Sequence, residues 1–151
     1  PVGMVVHPAA GNWTGTCKVW FGPEALADES AVEASIRPAL GGRFLIHEYR
    51  STFQGKPLEG IALIGFDLSS NEYQMAWADS FHMSTGIMFS VGKSDDGLQV
   101  LGSYGGGEPE ERWGWQTEIV LDENDVLIMT AYNISPQGES VKATEAIFKR
   151  A

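Results

Sequence analysis

At 151 residues the chain fits one domain, long enough to bury an apolar core without help from disulfides or metals. Twenty Asp and Glu against ten Lys and Arg leave a formal net charge of −10, which repels a phosphate backbone and an anionic bilayer surface and so excludes nucleic acid and membranes as expected partners. The 43% hydrophobic fraction is ordinary and the 11% aromatic fraction rich, while the longest apolar run falls far short of the roughly 20 residues a spanning helix requires.

Strands are expected where β-branched and aromatic residues cluster between Gly, Pro, Asn and Asp punctuation. The first such run is Asn12 to Phe21, closed by Gly22-Pro23. Glu24 to Ser30 is acidic and reads as a loop or one short helical turn, followed by a weaker strand from Val32 to Ile36. Gly41-Gly42 opens a long strand, Arg43 to Phe53, which Gln54-Gly55-Lys56-Pro57 turns into Leu58 to Leu68. After Ser69-Ser70-Asn71 come Glu72 to Phe81 and Thr85 to Lys93, then a turn at Asp95-Asp96-Gly97 and a strand from Leu98 to Tyr104. The flexible Gly105-Gly106-Gly107 stretch leads to Arg112 to Leu121, Asp125 to Ile134 and Val141 to Lys149.

There is no sustained helical periodicity and no internal repeat, so the expected fold is all-β. About ten short strands in sequence either stack as two sheets or close into a ring, and closure removes the exposed edges that invite aggregation. The expectation is therefore a single antiparallel up-and-down β-barrel domain over residues 1–151, with an interior large enough for side chains and one small ligand.

Along Glu72 to Phe81, alternation puts Tyr73, Met75, Trp77, Asp79 and Phe81 on one face. A carboxylate among aromatics must be compensated, so Asp79 either lies inside the barrel or sits at its rim capping a turn. In the strand Arg43 to Phe53 one face carries Leu45, His47 and Tyr49 and the other Ile46, Glu48 and Arg50, and neither is plainly outside. Trp113 and Trp115 share a face, as do Tyr132, Ile128 and Ile134, and both sets suit a core or the wall of a cavity. The candidate ligand-binding set is thus Tyr49, Trp77 and Tyr132 as wall, with Glu48, Asp79 and Glu145 supplying polarity. An enclosed cavity above about 300 Å³ would fit such a role.

His7, His47 and His82 lie on separate segments with no His or Cys at ligand spacing, so neither a metal nor a cofactor is expected. No phosphate-cradling loop and no nucleophile elbow occurs. Cys17 is alone and cannot form an internal disulfide, which reads as a small buried hydrophobe; the default compartment is the cytoplasm.

The residues Gly11-Asn12-Trp13, Gly41-Gly42-Arg43-Phe44, Glu48-Tyr49, Gly60 and Gly65-Phe66-Asp67 form an ordered set. It continues through Tyr73, Trp77, Asp79-Ser80, Thr85-Gly86, Glu145, Phe148 and Arg150. Together they resemble the bacterial family called domain of unknown function 1579, a lipocalin-like (calycin-like) barrel group, over nearly the whole chain. Phe66 and Phe148 stand where this family is expected to carry Tyr, which removes two phenol hydroxyls. The resemblance implies a fold more than an activity, and calycin-type barrels mostly bind small hydrophobic molecules. It also implies that Trp13 plugs a closed end and packs on Arg150 or Lys149. Two other functions compete with binding: an isomerase or lyase whose interior carboxylate is a general base of raised pKa, and a homodimeric interaction module with Trp20 and Phe44 on an outer patch.

Overall fold

The hairpin expected around Gln54-Gly55 shows how local sequence becomes sheet. In a computed structural model, which describes residues 7–82, 85–93 and 97–151, Gln54 and Gly55 both take positive φ, 50° and 81°. That combination lets a two-residue turn follow the right-handed twist of its strands. The turn joins β3 (Phe44–Phe53) to β4 (Lys56–Asp67), in register from Phe44 opposite Gly65 to Phe53 opposite Lys56. Upstream lie β1 (Gly11–Trp20) and β2 (Leu26–Ala39). Downstream follow β5 (Glu72–Asp79), β6 (Met88–Gly92), β7 (Leu98–Tyr104), β8 (Trp113–Leu121), β9 (Leu127–Ile134) and β10 (Ser140–Arg150).

Every strand pairs antiparallel with its neighbours in sequence, and β1 pairs with β10, so the order β1-β10-β9-β8-β7-β6-β5-β4-β3-β2 closes on itself. The fold is the all-β, ten-strand, up-and-down barrel expected from the sequence. Closure gives every strand a neighbour on both sides, although among the described residues β6 and β7 are held in register only at Val91 and Leu101. Among the described residues the helical pieces are two short 3-10 turns, His7–Ala9 and Pro109–Glu111. None of these helices is long and apolar enough to cross a membrane.

Lys56 and Pro57, expected in the turn, belong to β4, Phe81, expected in β5, lies beyond its end, and two strands depart further from the sequence reading. Glu24 to Ser30 is not a loop or helical turn beyond its first residues: β2 starts at Leu26 and is 14 residues long. Its acidic residues pair along β1, with Asp28 opposite Val19 and Glu29 opposite Lys18. Cross-strand pairing outweighs the poor strand propensity of Asp and Glu, and Asp28 gains further bonds from Ser30 Oγ (2.5 Å) and the Gln54 N–H (2.9 Å). The strand expected from Thr85 to Lys93 contracts to Met88–Gly92. Of the turn expected at Asp95-Asp96-Gly97, Asp95 and Asp96 lie outside the described residues.

The two ends of the barrel differ. At the end where β1 begins and β10 ends, Trp13 is almost fully buried and its Nε1 donates to the Ala9 carbonyl at 2.9 Å. The Arg150 guanidinium lies over the Trp13 ring at 4.4 Å, which selects Arg150 over Lys149 as the basic partner. Arg150 also donates to the carbonyls of Pro8 and Ala10, both at 3.0 Å, and to the Asp125 carboxylate at 2.6 and 3.2 Å. Leu45, Ile64, Tyr73, Leu98, Leu127 and Phe148 fill this half of the interior. The opposite end is ringed by the β1–β2, β3–β4, β5–β6, β7–β8 and β9–β10 connections, and the polar interior groups gather towards it.

Candidate functional site

Strand parity decides what faces the interior. On β3, Leu45 and His47 are buried and Tyr49 and Ser51 follow them inward, while Glu48 and Arg50 are exposed. Gly60 stands opposite Tyr49 on β4, and a Cβ there would run into the Tyr49 ring, so only glycine lets that ring lie against the wall. On β5, Tyr73, Met75, Trp77 and Asp79 share the inner side, as alternation in the sequence requires, and Asp79 is opposite Gly60.

These neighbours form one hydrogen-bonded cluster. Trp77 Nε1 donates to Tyr49 Oη at 2.9 Å, and Tyr49 Oη donates to Asp79 Oδ2 at 3.0 Å. His82, three residues past Asp79, brings Nδ1 to the same Oδ2 at 2.8 Å. The backbone N–H groups of Phe81 (3.0 Å) and His82 (2.5 Å) donate to Oδ1. The Asp79 side chain is only 2% exposed. It therefore faces the interior and caps the turn after β5 at once, two roles that the sequence presents as alternatives.

Burial pushes the Asp79 carboxyl up, but the His82 ring and the backbone N–H groups of His82 and Phe81 together hold it below the ordinary carboxylate value. Asp79 is accordingly an anion with four donors, and its pKa is lowered rather than raised as the sequence reading of an interior carboxylate base expected. Burial first, and then the Asp79 charge, pushes the Tyr49 phenol far up, so that it stays a donor. His47 stacks on Tyr49 at 5.2 Å, and burial lowers its pKa to about 4, which keeps the ring neutral. Burial, and secondarily Asp28, pushes the Cys17 thiol up to about 11.

Aromatic rings frame the cluster. Trp77 and Trp115 stack at 5.7 Å with only 10° between their planes. The His82 ring sits 5.4 Å from Trp77 and 5.2 Å from Trp115, with Phe81 edge-on at 4.6 Å. Phe21, Phe53 and Phe81 continue as a chain of rings, 5.5 and 4.6 Å apart, across three loops of the rim. Two cavities meet at this frame. One, of about 140 Å³, runs down the barrel past Cys17, His47, Tyr49, Met75, Thr117 and Met129. The other, of about 240 Å³, opens at the mouth between Trp20, Phe21, Tyr104 and Asn133. Trp77, His82 and Trp115 line both. Neither alone reaches the 300 Å³ of a drug-sized pocket, and the deeper one matches a cavity that accepts benzene. A larger concavity of about 790 Å³ covers the outer side of β1 to β5, where Glu33, Glu48, Arg50 and Glu59 are solvated, so it lacks the apolar enclosure of a small-molecule site.

Of the six candidate residues, Tyr49, Trp77 and Asp79 come together here. The other three do not. Glu48 faces out and pairs with Arg37 at 3.3 Å. Tyr132 is opposite Gln116 and Lys142 on the outer face, because Trp115, which faces in, pairs with its neighbour Asn133. Glu145 also points outward, to Lys142 at 3.0 Å, since a bulge between Lys142 and Thr144 resets the alternation of β10 and gives Thr144 and Ala146 the inner positions. Trp113, grouped with Trp115 from the sequence, is 41% exposed at the start of β8. Trp20 and Phe44 fall at opposite ends of the barrel and make no common patch.

Sequence reasoning missed His82, His47, Tyr104 and Asn133 as members of the interior. Tyr104 Oη donates to Asn133 Oδ1 at 2.5 Å in the mouth. The readable signal for His82 was its spacing: a His three residues after an Asp at a strand end can bond the carboxylate that caps its own turn. Among the described residues there is no group of three or more His, Cys, Asp and Glu that could hold a metal ion.

A family model described as a protein of unknown function (DUF1579) matches residues 5–150. No curated protein matches the chain.

Proposed function

We propose, for a chain that belongs to the DUF1579 family, that the barrel binds a small, mostly apolar molecule with one polar end. The observation that carries this reading is the division of labour inside the barrel. The deep cavity is walled mainly by apolar groups, and its polar end is concentrated in Tyr49, Asp79 and His82 beside the Trp77–Trp115 stack. A polar group of the ligand would meet that cluster, and its apolar body would run along Met75, Ile119 and Met129 or out into the mouth. Glu48, Tyr132 and Glu145 have no part in it.

Native mass spectrometry of protein purified from its own host, set against the denatured mass, tests the reading. A retained small mass supports it. Equal masses, together with no change in Trp fluorescence on titration with a flat apolar probe such as nitroindazole, would overturn it.

Self-association is the second reading, and one surface favours it. Leu63, Ala76 and Phe89 form an unbroken row across the outer side of β4, β5 and β6, flanked by the exposed Ile61, Ile87 and Leu101. Light scattering of the wild type and Phe89→Glu decides it: a dimer that dissociates in the variant supports the interface, and a monomeric wild type removes it.

A further inference from the structure

His82 is more than a prop for Asp79. The Asp79 carboxylate is an anion that already accepts from Tyr49 and two backbone N–H groups, so it has only acceptor capacity to offer the ring. The 2.8 Å contact therefore requires a proton on Nδ1, and the neutral ring carries its free lone pair on Nε2. Nε2 has no hydrogen-bond partner among the described residues. The ring is clamped by Trp77, Trp115 and Phe81, is 27% exposed, and borders both cavities. A nitrogen base with a fixed tautomer, an anion behind it and an apolar slot in front has the parts of an acid–base catalyst.

We propose that His82 Nε2 is a general base, oriented by Asp79, that removes a proton from an activated C–H of a flat, apolar substrate of one or two rings held against the Trp77–Trp115 stack. This rests on the binding reading, since the substrate must first occupy the cavity. It moves the base from the interior carboxylate to the imidazole. Covalent routes are disfavoured in the same space: the Cys17 thiol is pushed up to about 11 and Tyr49 Oη is committed to Asp79. The reaction class is then proton transfer, either isomerisation or elimination. The imidazolium formed is paired with Asp79 and returns its proton to water through the open mouth. The titratable groups that face His82 are Asp79 from β5 and, behind it, Tyr49 from β3, with His47 on the far side of Tyr49; β8 contributes the uncharged Trp115.

Nitrobenzisoxazole is the test substrate, because its ring opening needs only a base. Nε2 takes the C–H proton, the C–H electron pair makes the C=N bond a nitrile, the N–O bond breaks, and its electron pair leaves on oxygen as a coloured phenolate. The wild type is expected to exceed free imidazole at equal concentration by about 10²- to 10³-fold, with saturation in substrate. His82→Gln should lose about 10²-fold, and Asp79→Asn about 10-fold through the lost tautomer control. Nitroindazole, which has the same shape and cannot react, should inhibit over the concentration range in which it quenches Trp fluorescence. That measurement needs no variant and stands even if His82→Gln does not fold. Nitroindazole binding without acceleration, or equal rates in wild type and a folded His82→Gln, overturns the base and leaves the binding reading intact. No nitroindazole binding and no saturation remove both.

Discussion

Replacing His47 with Gln should flatten the acid limb of this protein's stability curve. His47 is 6% exposed inside the barrel. Burial lowers its pKa from 6.5 to about 4, and the Ser35 carbonyl and the Glu48 charge oppose that only in part. Above the unfolded value, both folded and unfolded chains carry a neutral ring and His47 has no effect on the pH dependence. Between about 6.5 and about 4 the unfolded chain takes up a proton that the folded chain refuses, so stability falls as pH falls. The slope approaches about 1.4 kcal/mol per pH unit, and the whole window is worth roughly 3 kcal/mol. For a chain of this size that corresponds to a melting temperature lower by roughly 6–12 °C. Urea midpoints at a series of pH values across the window would measure it, with His47→Gln alongside. Asp79 acts in the same direction, but its carboxyl is held below 3.8, so its loss begins at more acid pH. An equal decline in His47→Gln across the same window would refute the assignment, as would a wild-type decline well under about 1 kcal/mol.

Cys17 should react with a disulfide reagent about 10²-fold more slowly than an unperturbed thiol near neutral pH, because its pKa is about 11 rather than 9.0 and only the thiolate attacks. A rate matching a free thiol would show that the barrel wall opens at β1. Gly60→Ala should cost about 1–3 kcal/mol in denaturant midpoint, since the new methyl meets the Tyr49 ring and must displace it. The same variant should weaken nitroindazole binding. An unchanged midpoint would mean that Tyr49 has a second comfortable position.

The faces of β5 were readable from alternation alone: Tyr73, Met75, Trp77 and Asp79 share a side in the sequence and in the barrel. The turn after β3 was readable as Gln54-Gly55-Lys56-Pro57, but only Gln54 and Gly55, both at positive φ, make it, and Lys56 and Pro57 already belong to β4. On β9 the same logic had nothing to grip, since Leu127, Met129, Ala131 and Asn133 on one face and Ile128, Thr130, Tyr132 and Ile134 on the other each hold three apolar residues and one polar one. Tyr132 was assigned outward only by the pairing of Asn133 with Trp115. Glu145 depended on a bulge two residues away, which no local propensity announces. His82 lies beyond the last residue of β5, where strand parity no longer applies and the Asp79 carboxylate dictates the turn.

What the amino-acid order determined by itself was local: where strands run, where they turn, and which side chains of one strand stand together. Which of the two sides became the interior was decided by closing the ring, because inside and outside exist only once β1 meets β10. The meeting of Tyr49, Asp79 and His82 belongs to that second level. Tyr49 and Asp79 are 30 residues apart in the chain, and cross-strand register through Gly60 alone brings them within a hydrogen bond.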